Sequence, residues 1–175
     1  FGEDTKQVVS DNGPFDTISC QFAAHYAFGD EETASRLFHL VAGALHTDGI
    51  FVGITVDGTK LDTRRRLLGR KFGDRYFAVA FASDEPSELG DAYEFSLTGA
   101  VERLTEYVVR RETFERLASV AGLILEEWTP LDIYIRQKRE DHAHMWQRMV
   151  GNNNQRLTDV TGLYTVFACR KAHRK

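Results

Sequence analysis

The sequence predicts an α/β fold in which helices cover a parallel β-sheet that carries a smaller antiparallel insertion. A strand-like run at residues 15–22 is followed by an amphipathic helical pattern and then by an almost continuous apolar run at 50–56. A strand that is apolar on both faces is typical of a parallel sheet buried between helices. Strand, helix and parallel strand together form a right-handed βαβ unit. Short aromatic segments within residues 72–109 alternate in the pattern of antiparallel strands.

The first helix is predicted from apolar residues that recur three or four positions apart between Ala34 and Leu45. Acidic residues precede this pattern, where they favour the positive end of the helix dipole. We expect Gly49 to end the helix in a left-handed conformation. After the second strand, Asp57 and Gly58 are expected to form a turn.

The insertion is predicted from two short aromatic segments at 76–81 and 92–97, which read as a hairpin-like pair. An acidic loop at 83–88 separates them. Residues 104–109 then return towards the core. This region interrupts the alternation of strands and helices, so we expect it to be a small antiparallel insertion.

The carboxyl-terminal part returns to the α/β pattern. A second helix is predicted at 111–121 and ends at Gly122, and a strand follows at 123–128. The polar stretch 142–155 has a partly helical pattern. The last predicted strand covers 163–169.

The composition suits one globular domain, because 42% of the 175 residues are hydrophobic. The net charge of −4 excludes a generally basic surface, so any contact with nucleic acid would have to be local. Two basic clusters could provide it, at residues 64–71 and in the tail at 170–175. We expect each of them to be mainly a solvated turn or terminus.

The two cysteines, Cys20 and Cys169, lie in apolar strand-like runs, which is typical of free thiols in a reducing intracellular compartment. No apolar stretch approaches the roughly 20 residues that cross a membrane, so no membrane contact is expected. His142 and His144 lie close in sequence but have no third ligand nearby, so we do not expect a metal site.

The stretch FDTISCQFAAHYAF, residues 15–28, places polar and aromatic side chains where the first strand ends. Ligands of open parallel sheets bind outside the carboxyl ends of the strands. Gln21, His25 and Tyr26 are therefore the first candidates for function. A glutamine, histidine or tyrosine at such a position is more often structural than functional. A functional role for these three residues therefore depends on further motifs in the sequence.

This stretch resembles the segment of the messenger-RNA cap guanine-N7 methyltransferases in which Q-F-x-x-H-Y follows the fourth strand. The resemblance continues in order along nearly the whole chain, through GITVDGTKL (53–61), YEFSL (93–97), LTEYVV (104–109) and LYTVFACRK (163–171). It is nearest to the viral and unicellular members. It implies a Rossmann-like class I methyltransferase fold with an antiparallel last strand, and S-adenosylmethionine as methyl donor without a metal.

The resemblance also implies roles for single residues. The residues implied at the methyl donor are Gln21, Tyr26 and Asp4. The residues implied at the cap guanine are His25, Glu106 and Tyr164, with Tyr93 and Phe95 in the insertion that walls the pocket. The implied roles of His25, Glu106 and Tyr164 are to position the substrate, and none is an acid or base.

The residue types suit this chemistry. Guanine presents N1–H and a 2-amino group side by side, and the carboxylate of Glu106 can accept from both. Adenine lacks this pair of donors and would leave a buried carboxylate unpaired. Guanine N7 already has a lone pair, so methylation requires no base, and catalysis would come mainly from orientation. His25 is therefore expected to position the substrate.

The chain contains no G-x-G motif of the kind that binds the methyl donor in this family. We therefore expect residues 1–175 to be a partial methyltransferase domain, from the fourth strand onward, that is inactive alone. An unpaired sheet edge is expected where earlier strands belong. The rest of the domain, a partner chain or a second copy would cover it.

The function implied is transfer of a methyl group to N7 of the cap guanine, with the capped 5′ end of RNA as partner. Further capping-enzyme domains could belong to the same polypeptide. Such an enzyme would be nuclear in a cell and cytoplasmic for a virus that replicates there. Two alternatives stay open: a catalytically degenerate methyltransferase-like subunit and a methyltransferase for a small metabolite.

Overall fold

The structure is a computed structural model, and it describes residues 13–150 and 160–173. Its first sheet contains four strands in the order β1-β2-β8-β7. They are β1 (Phe15–Gln21), β2 (Leu45–Val56), β7 (Leu123–Pro130) and β8 (Tyr164–Lys171). β1 and β2 are parallel, whereas β8 runs antiparallel to β2 and β7. The predicted βαβ unit and antiparallel last strand are confirmed.

The second sheet is antiparallel and corresponds to the predicted insertion. It is formed by β3 (Lys71–Gly73), β4 (Phe77–Phe81), β5 (Ala92–Leu97) and β6 (Val101–Tyr107), in this order. Its alternating pattern places apolar side chains of β4 and β5 in the core. The aromatic-rich insertion predicted around residues 72–109 is thus confirmed.

Five α-helices accompany the sheets in the described residues: α1 (Glu31–Ala44), α2 (Gly58–Leu68), α3 (Arg111–Val120), α4 (Leu131–Asp141) and α5 (Ala143–Val150). Two 3-10 helices, Ala24–Gly29 and Thr161–Leu163, follow β1 and precede β8. The predicted helices at 34–45 and 111–121 correspond to α1 and α3. Part of the predicted polar helical stretch forms α5, and residues 151–155 lie outside the described residues.

The core lies where α1 and α3 pack on the first sheet, and aromatic rings form its centre. The Phe114 ring centroid lies 4.9 Å from those of both Phe38 and Phe167, and 6.2 Å from that of Phe28. All four side chains are fully buried. Since burial of one such side chain is worth roughly 1.5–3 kcal/mol, this cluster holds the helices to the sheet.

The expectation that Gly49 ends the first helix is wrong. α1 ends at Ala44, and Leu45 is already extended and belongs to β2. Leu45 is buried and pairs with Phe15 of β1, so strand pairing and burial override the helical periodicity. In this segment the residue with left-handed backbone is Asp48, with a φ of 63°, and Gly49 does not have a positive φ.

The expectation of a turn at Asp57 and Gly58 is also wrong, because these residues begin α2. The Asp57 carboxylate accepts a hydrogen bond from the Lys60 backbone N–H at 3.2 Å, which caps the helix. The helix was not predicted because few of its residues are apolar. Its buried positions are Gly58, Leu61 and Arg65, so an arginine occupies the place of a core residue. α4, of which only Leu131 is buried, was not predicted either.

A buried ion-pair network joins the second sheet to α2 and to the start of α3. The two Asp91 carboxylate oxygens accept from Arg65 Nη1 at 3.1 and 3.2 Å, and Oδ2 also accepts from Arg110 Nη2 at 2.9 Å. Arg110 reaches Asp62 of α2 as well, at 3.0 Å. Asp91 directly precedes β5, so this network fixes where β5 begins.

Two findings concern what the described residues lack. None of their helices combines the length and the apolar character needed to cross a bilayer. Nor do residues 13–150 and 160–173 bring three His, Cys, Asp or Glu side chains together as a metal site.

Within the same residues β1 has β2 as its single sheet neighbour, so its other edge is open.

We predict that Asp91→Ala destabilises the full polypeptide by about 3–5 kcal/mol, because Arg65 is left as an uncompensated buried charge. Urea unfolding followed by circular dichroism measures the change. The matched control is Glu94→Ala, which removes an exposed pair with Arg103 and should cost about 0–1 kcal/mol. Equal losses in the two variants would contradict a stabilising role of the buried network between the second sheet and α2.

Candidate functional site

The candidate site lies where β1 and β2 end and β8 begins. Gln21 at the end of β1 pairs with Ile54 of β2, and the next residue, Phe22, donates its backbone N–H to Ile54 O at 2.8 Å. Tyr164 at the start of β8 pairs with Val56 at the end of β2. The residues after β1 and at the start of β8 are therefore brought together at one edge of the sheet.

The centre of the site is the carboxylate of Glu106, which is only 4% exposed. The Tyr93 hydroxyl donates to its Oε2 at 2.6 Å, and the Tyr26 hydroxyl donates to its Oε1 at 3.3 Å. Tyr93 and Glu106 are direct cross-strand partners on β5 and β6. Hydrogen bonds of this kind offset the cost of burying a charge.

The tyrosines around Glu106 remain neutral hydrogen-bond donors at physiological pH. Burial, then the charge of Glu106 and the hydrogen bond to it, raise the pKa of Tyr26 to about 12. The same causes in the same order raise the pKa of the fully buried Tyr93 well above its ordinary value. Burial, followed by the charge of Glu106, also raises the pKa of Tyr164.

His25 lies beside Glu106 and is 1% exposed. Its Nε2 is 3.5 Å from Glu106 Oε1, which is too long for a good hydrogen bond. Both ring nitrogens therefore have no hydrogen-bond partner among the described residues. The ring packs against Tyr26 with centroids 4.4 Å apart. A buried imidazole without a partner is unusual, and it is adjacent to the charged group of the site.

Glu106 forms part of the wall of a mainly apolar cavity of about 390 Å³, a volume within the range of small-ligand sites. The lining residues are Phe22, Tyr26, Phe95, Leu97, Val101, Glu106, Leu131, Val160, Thr161 and Tyr164. Tyr164 meets Phe22 edge to face at 5.1 Å and Phe95 edge to face at 6.5 Å. The cavity thus combines aromatic walls with one carboxylate.

The structure brings most of the residues singled out in the sequence to this cavity, in two positions. Four line it: Tyr26, Phe95, Glu106 and Tyr164. His25 and Tyr93 do not line it but lie behind Glu106, where both contact its carboxylate.

The residues singled out for the methyl donor are not gathered in one place. The Gln21 side chain is exposed at the end of β1 and donates to Ser19 Oγ at 2.8 Å. Tyr26 lies at the cavity and on Glu106. Asp4 is outside the described residues.

Phe22 is a cavity residue that the sequence reasoning missed. It has a positive φ of 52°, and its ring is 46% exposed. Left-handed backbone at a residue other than glycine costs of order 1–3 kcal/mol and is often found at binding sites. Its place next to Gln21, just past the strand end, was the available signal. Leu131, Val160 and Thr161 also line the cavity, and nothing in the sequence around them indicated this.

The parallel pair of β1 and β2 together with the antiparallel β8 defines a Rossmann-like α/β fold. The CcbJ methyltransferase from Streptomyces caelestis superimposes with a TM-score of 0.52 over 91% of this chain and 62% of its own, at 14% identity. At that identity the likeness shows the fold alone. The predicted Rossmann-like fold class is confirmed.

The particular family follows from sequence similarity. Residues 1–172 match the mRNA (guanine-N(7))-methyltransferase domain. The mRNA cap guanine-N(7) methyltransferase of Candida glabrata is 29% identical over 90% of this chain and 44% of its own length. That of Debaryomyces hansenii is 34% identical over 65% and 24%. The chain belongs to the mRNA (guanine-N(7))-methyltransferase family, as its motifs predicted, and spans less than half the length of these relatives.

We predict that Tyr93→Phe lowers the free energy of unfolding of the full polypeptide by about 1.5–3 kcal/mol, since a buried hydrogen bond to a charged group is lost. Urea denaturation measures the loss. The control is Tyr134→Phe on α4, whose hydroxyl has no part in the site and whose removal should cost under about 0.5 kcal/mol. Equal stability of wild type and Tyr93→Phe would contradict the described role of the Tyr93 hydroxyl.

Proposed function

We propose that this chain forms the acceptor-binding part of a cap guanine-N7 methyltransferase. The reaction is transfer of a methyl group from S-adenosylmethionine to N7 of the guanine at the capped 5′ end of RNA. The observation that supports this best is the buried carboxylate of Glu106 in the wall of an aromatic cavity. Membership of the family supports the same reaction.

Recognition of guanine follows from what the Glu106 carboxylate can still accept. A carboxylate has about four acceptor positions on two oxygens. Tyr93 and Tyr26 use one on each oxygen. The remaining positions suit the adjacent N1–H and 2-amino donors of guanine. Adenine has no donor at N1 and would leave the buried charge without those partners, which is costly.

The aromatic walls and the backing residues hold the base in place. Tyr164, Phe22 and Phe95 provide ring surfaces for a purine, and stacking on such rings contributes about 1–3 kcal/mol per base. Behind the wall, the Tyr93 hydroxyl fixes the Glu106 carboxylate by its hydrogen bond, and the His25 ring packs beside the same carboxylate. They are positioning residues in this proposal, because neither lines the cavity.

The chemistry requires orientation and no proton transfer. The lone pair of guanine N7 forms the new bond to the methyl carbon while the carbon–sulfur bond of the sulfonium breaks and sulfur keeps the electron pair. The guanine ring gains a positive charge in this step. The negative charge of Glu106, in surroundings of low dielectric, favours that charge. The protein therefore acts by holding N7 in line and by stabilising the charge that develops.

One edge of a donor site fits the residues present. The exposed Gln21 amide stands at the carboxyl end of β1, where ligands of parallel sheets bind, and it has free hydrogen-bonding capacity beyond its bond to Ser19. We propose that the donor is held between this edge and the remainder of a longer methyltransferase domain. The same remainder would cover the open edge of β1.

We predict that Glu106→Gln lowers kcat/KM for methyl transfer to GpppG by about 100-fold or more, because a carboxamide has one oxygen and cannot accept both guanine donors. The assay is transfer of tritiated methyl groups from S-adenosylmethionine by the longest polypeptide that contains this chain, with GpppG and ApppA compared.

Glu94→Gln is the matched control, since Glu94 lies on the neighbouring strand and is paired with Arg103 at the surface. It should leave the transfer to GpppG unchanged. Equal transfer by the wild type to ApppA, or full activity of Glu106→Gln, would contradict the proposed recognition. A wild type that binds the donor but transfers nothing would instead indicate a degenerate subunit.

A further inference from the structure

The last turn of α2 presents two adjacent leucines to solvent. Leu67 is 72% exposed and Leu68 is 62% exposed. The helix instead buries Arg65, which pairs with Asp91. An amphipathic helix normally turns its apolar side chains towards the core, so this arrangement is the reverse of the ordinary pattern. Gly69, with a φ of 87°, ends the helix directly after the two leucines and fixes where they stand.

The strand that follows these leucines is an open edge of the second sheet. In the part of the chain that the structure describes, β3 is paired with β4 alone. The Arg70 carbonyl accepts a hydrogen bond from Phe81 N at 2.9 Å, and bonded and non-bonded pairs alternate along an antiparallel ladder. The backbone N–H and C=O groups of Lys71 and Gly73 therefore point away from β4, where a further strand could use them.

The leucines and the open edge lie at the same corner of the molecule. Leu68 is three residues before Lys71, so their Cα atoms are at most about 11 Å apart. α2 and β3 are also in contact. Phe72 packs against the core, which places the Lys71 side chain on the opposite face of β3, where it is exposed. We call Leu67, Leu68 and β3 the docking edge.

The charge around the docking edge is positive. Residues 64–76 contain six of the 22 lysine and arginine residues of the chain and one acidic residue. Arg70 forms an exposed ion pair with Asp84 at 3.2 Å. Arg66 and Lys71 are exposed and form no ion pair with any residue in the described ranges. A second copy of this chain would bring like charges together across the edge, whereas an acidic segment complements them.

We propose that the docking edge binds an acidic, leucine-containing segment of a partner protein, which adds to β3 as an extended strand. Main-chain hydrogen bonds to Lys71 and Gly73 align the segment, and its apolar side chains cover Leu67 and Leu68. Its carboxylates face Arg66 and Lys71. Strand addition takes its affinity from main-chain hydrogen bonds and its selectivity from side chains. The shortness of β3 and its lysine disfavour indiscriminate pairing, so the complementary acidic segment is the preferred occupant.

The test uses the longest polypeptide that contains this chain and a labelled seven-residue peptide in which glutamate and leucine alternate. Fluorescence anisotropy gives the Kd. We expect this peptide to bind at least about tenfold more tightly than a peptide with lysine in place of glutamate, or one with serine in place of leucine. A glutamate–leucine peptide with methylated backbone nitrogens cannot donate ladder hydrogen bonds and should bind about tenfold more weakly.

Variants of the protein locate the binding. Leu67→Ser/Leu68→Ser should weaken binding of the glutamate–leucine peptide about tenfold, and Lys71→Glu about five- to tenfold. All three positions are exposed, so the fold should be unaffected. The matched control is Val120→Ser/Ile124→Ser, which also replaces two exposed apolar side chains, 69% and 56% exposed, and should leave the Kd unchanged.

Equal affinity for the glutamate–leucine and lysine–leucine peptides, or an unchanged Kd in Leu67→Ser/Leu68→Ser, overturns the proposal. Displacement of the peptide by an equal concentration of an uncapped ten-nucleotide RNA would assign the cations to nucleic acid and overturn it as well. Weakened peptide binding in Leu67→Ser/Leu68→Ser together with unchanged methyl transfer to GpppG supports the docking edge as a surface separate from the guanine cavity.

Discussion

The buried carboxylate of Glu106 is the constraint on which the rest of the site depends. A charge with so little exposure must have donors, and these come from different parts of the fold: Tyr93 from the neighbouring strand, and Tyr26 from the turn after β1. The second sheet must therefore lie at a fixed place over the first. The ion pairs of Asp91, immediately before β5, provide that fixed place.

Elements that bury apolar residues at regular spacing could be predicted from the sequence. Elements in which a polar side chain occupies a core position could not. The βαβ unit around α1 followed directly from spacing, as did the helix α3. α2 was missed because Arg65 is buried by pairing with Asp91, a residue distant in sequence. The motif around Gln21 lies at the same sheet edge as the cavity, two of whose lining residues, Phe22 and Tyr26, belong to it. That His25 and Tyr93 lie behind Glu106, outside the cavity wall, depends on side-chain contacts that no spacing reveals.

The described residues separate two tasks of a methyltransferase. They contain the aromatic cavity in which the acceptor base is proposed to bind, but only one edge of a proposed site for the methyl donor, at the end of β1. This division agrees with a chain that spans less than half the length of its relatives. In the proposed function, preference for guanine resides in this part of the protein, and changes at Glu106 alter the choice of acceptor before they alter affinity for the donor.

The most direct test of this account is methyl transfer to a cap whose guanine is replaced by hypoxanthine, compared with GpppG. Hypoxanthine keeps N7 and N1–H but lacks the 2-amino donor, so one acceptor position on the buried Glu106 carboxylate would be left unused. The account predicts that kcat/KM falls about 10- to 100-fold, with the change mainly in KM. Equal kcat/KM for the two caps would contradict recognition of guanine by Glu106.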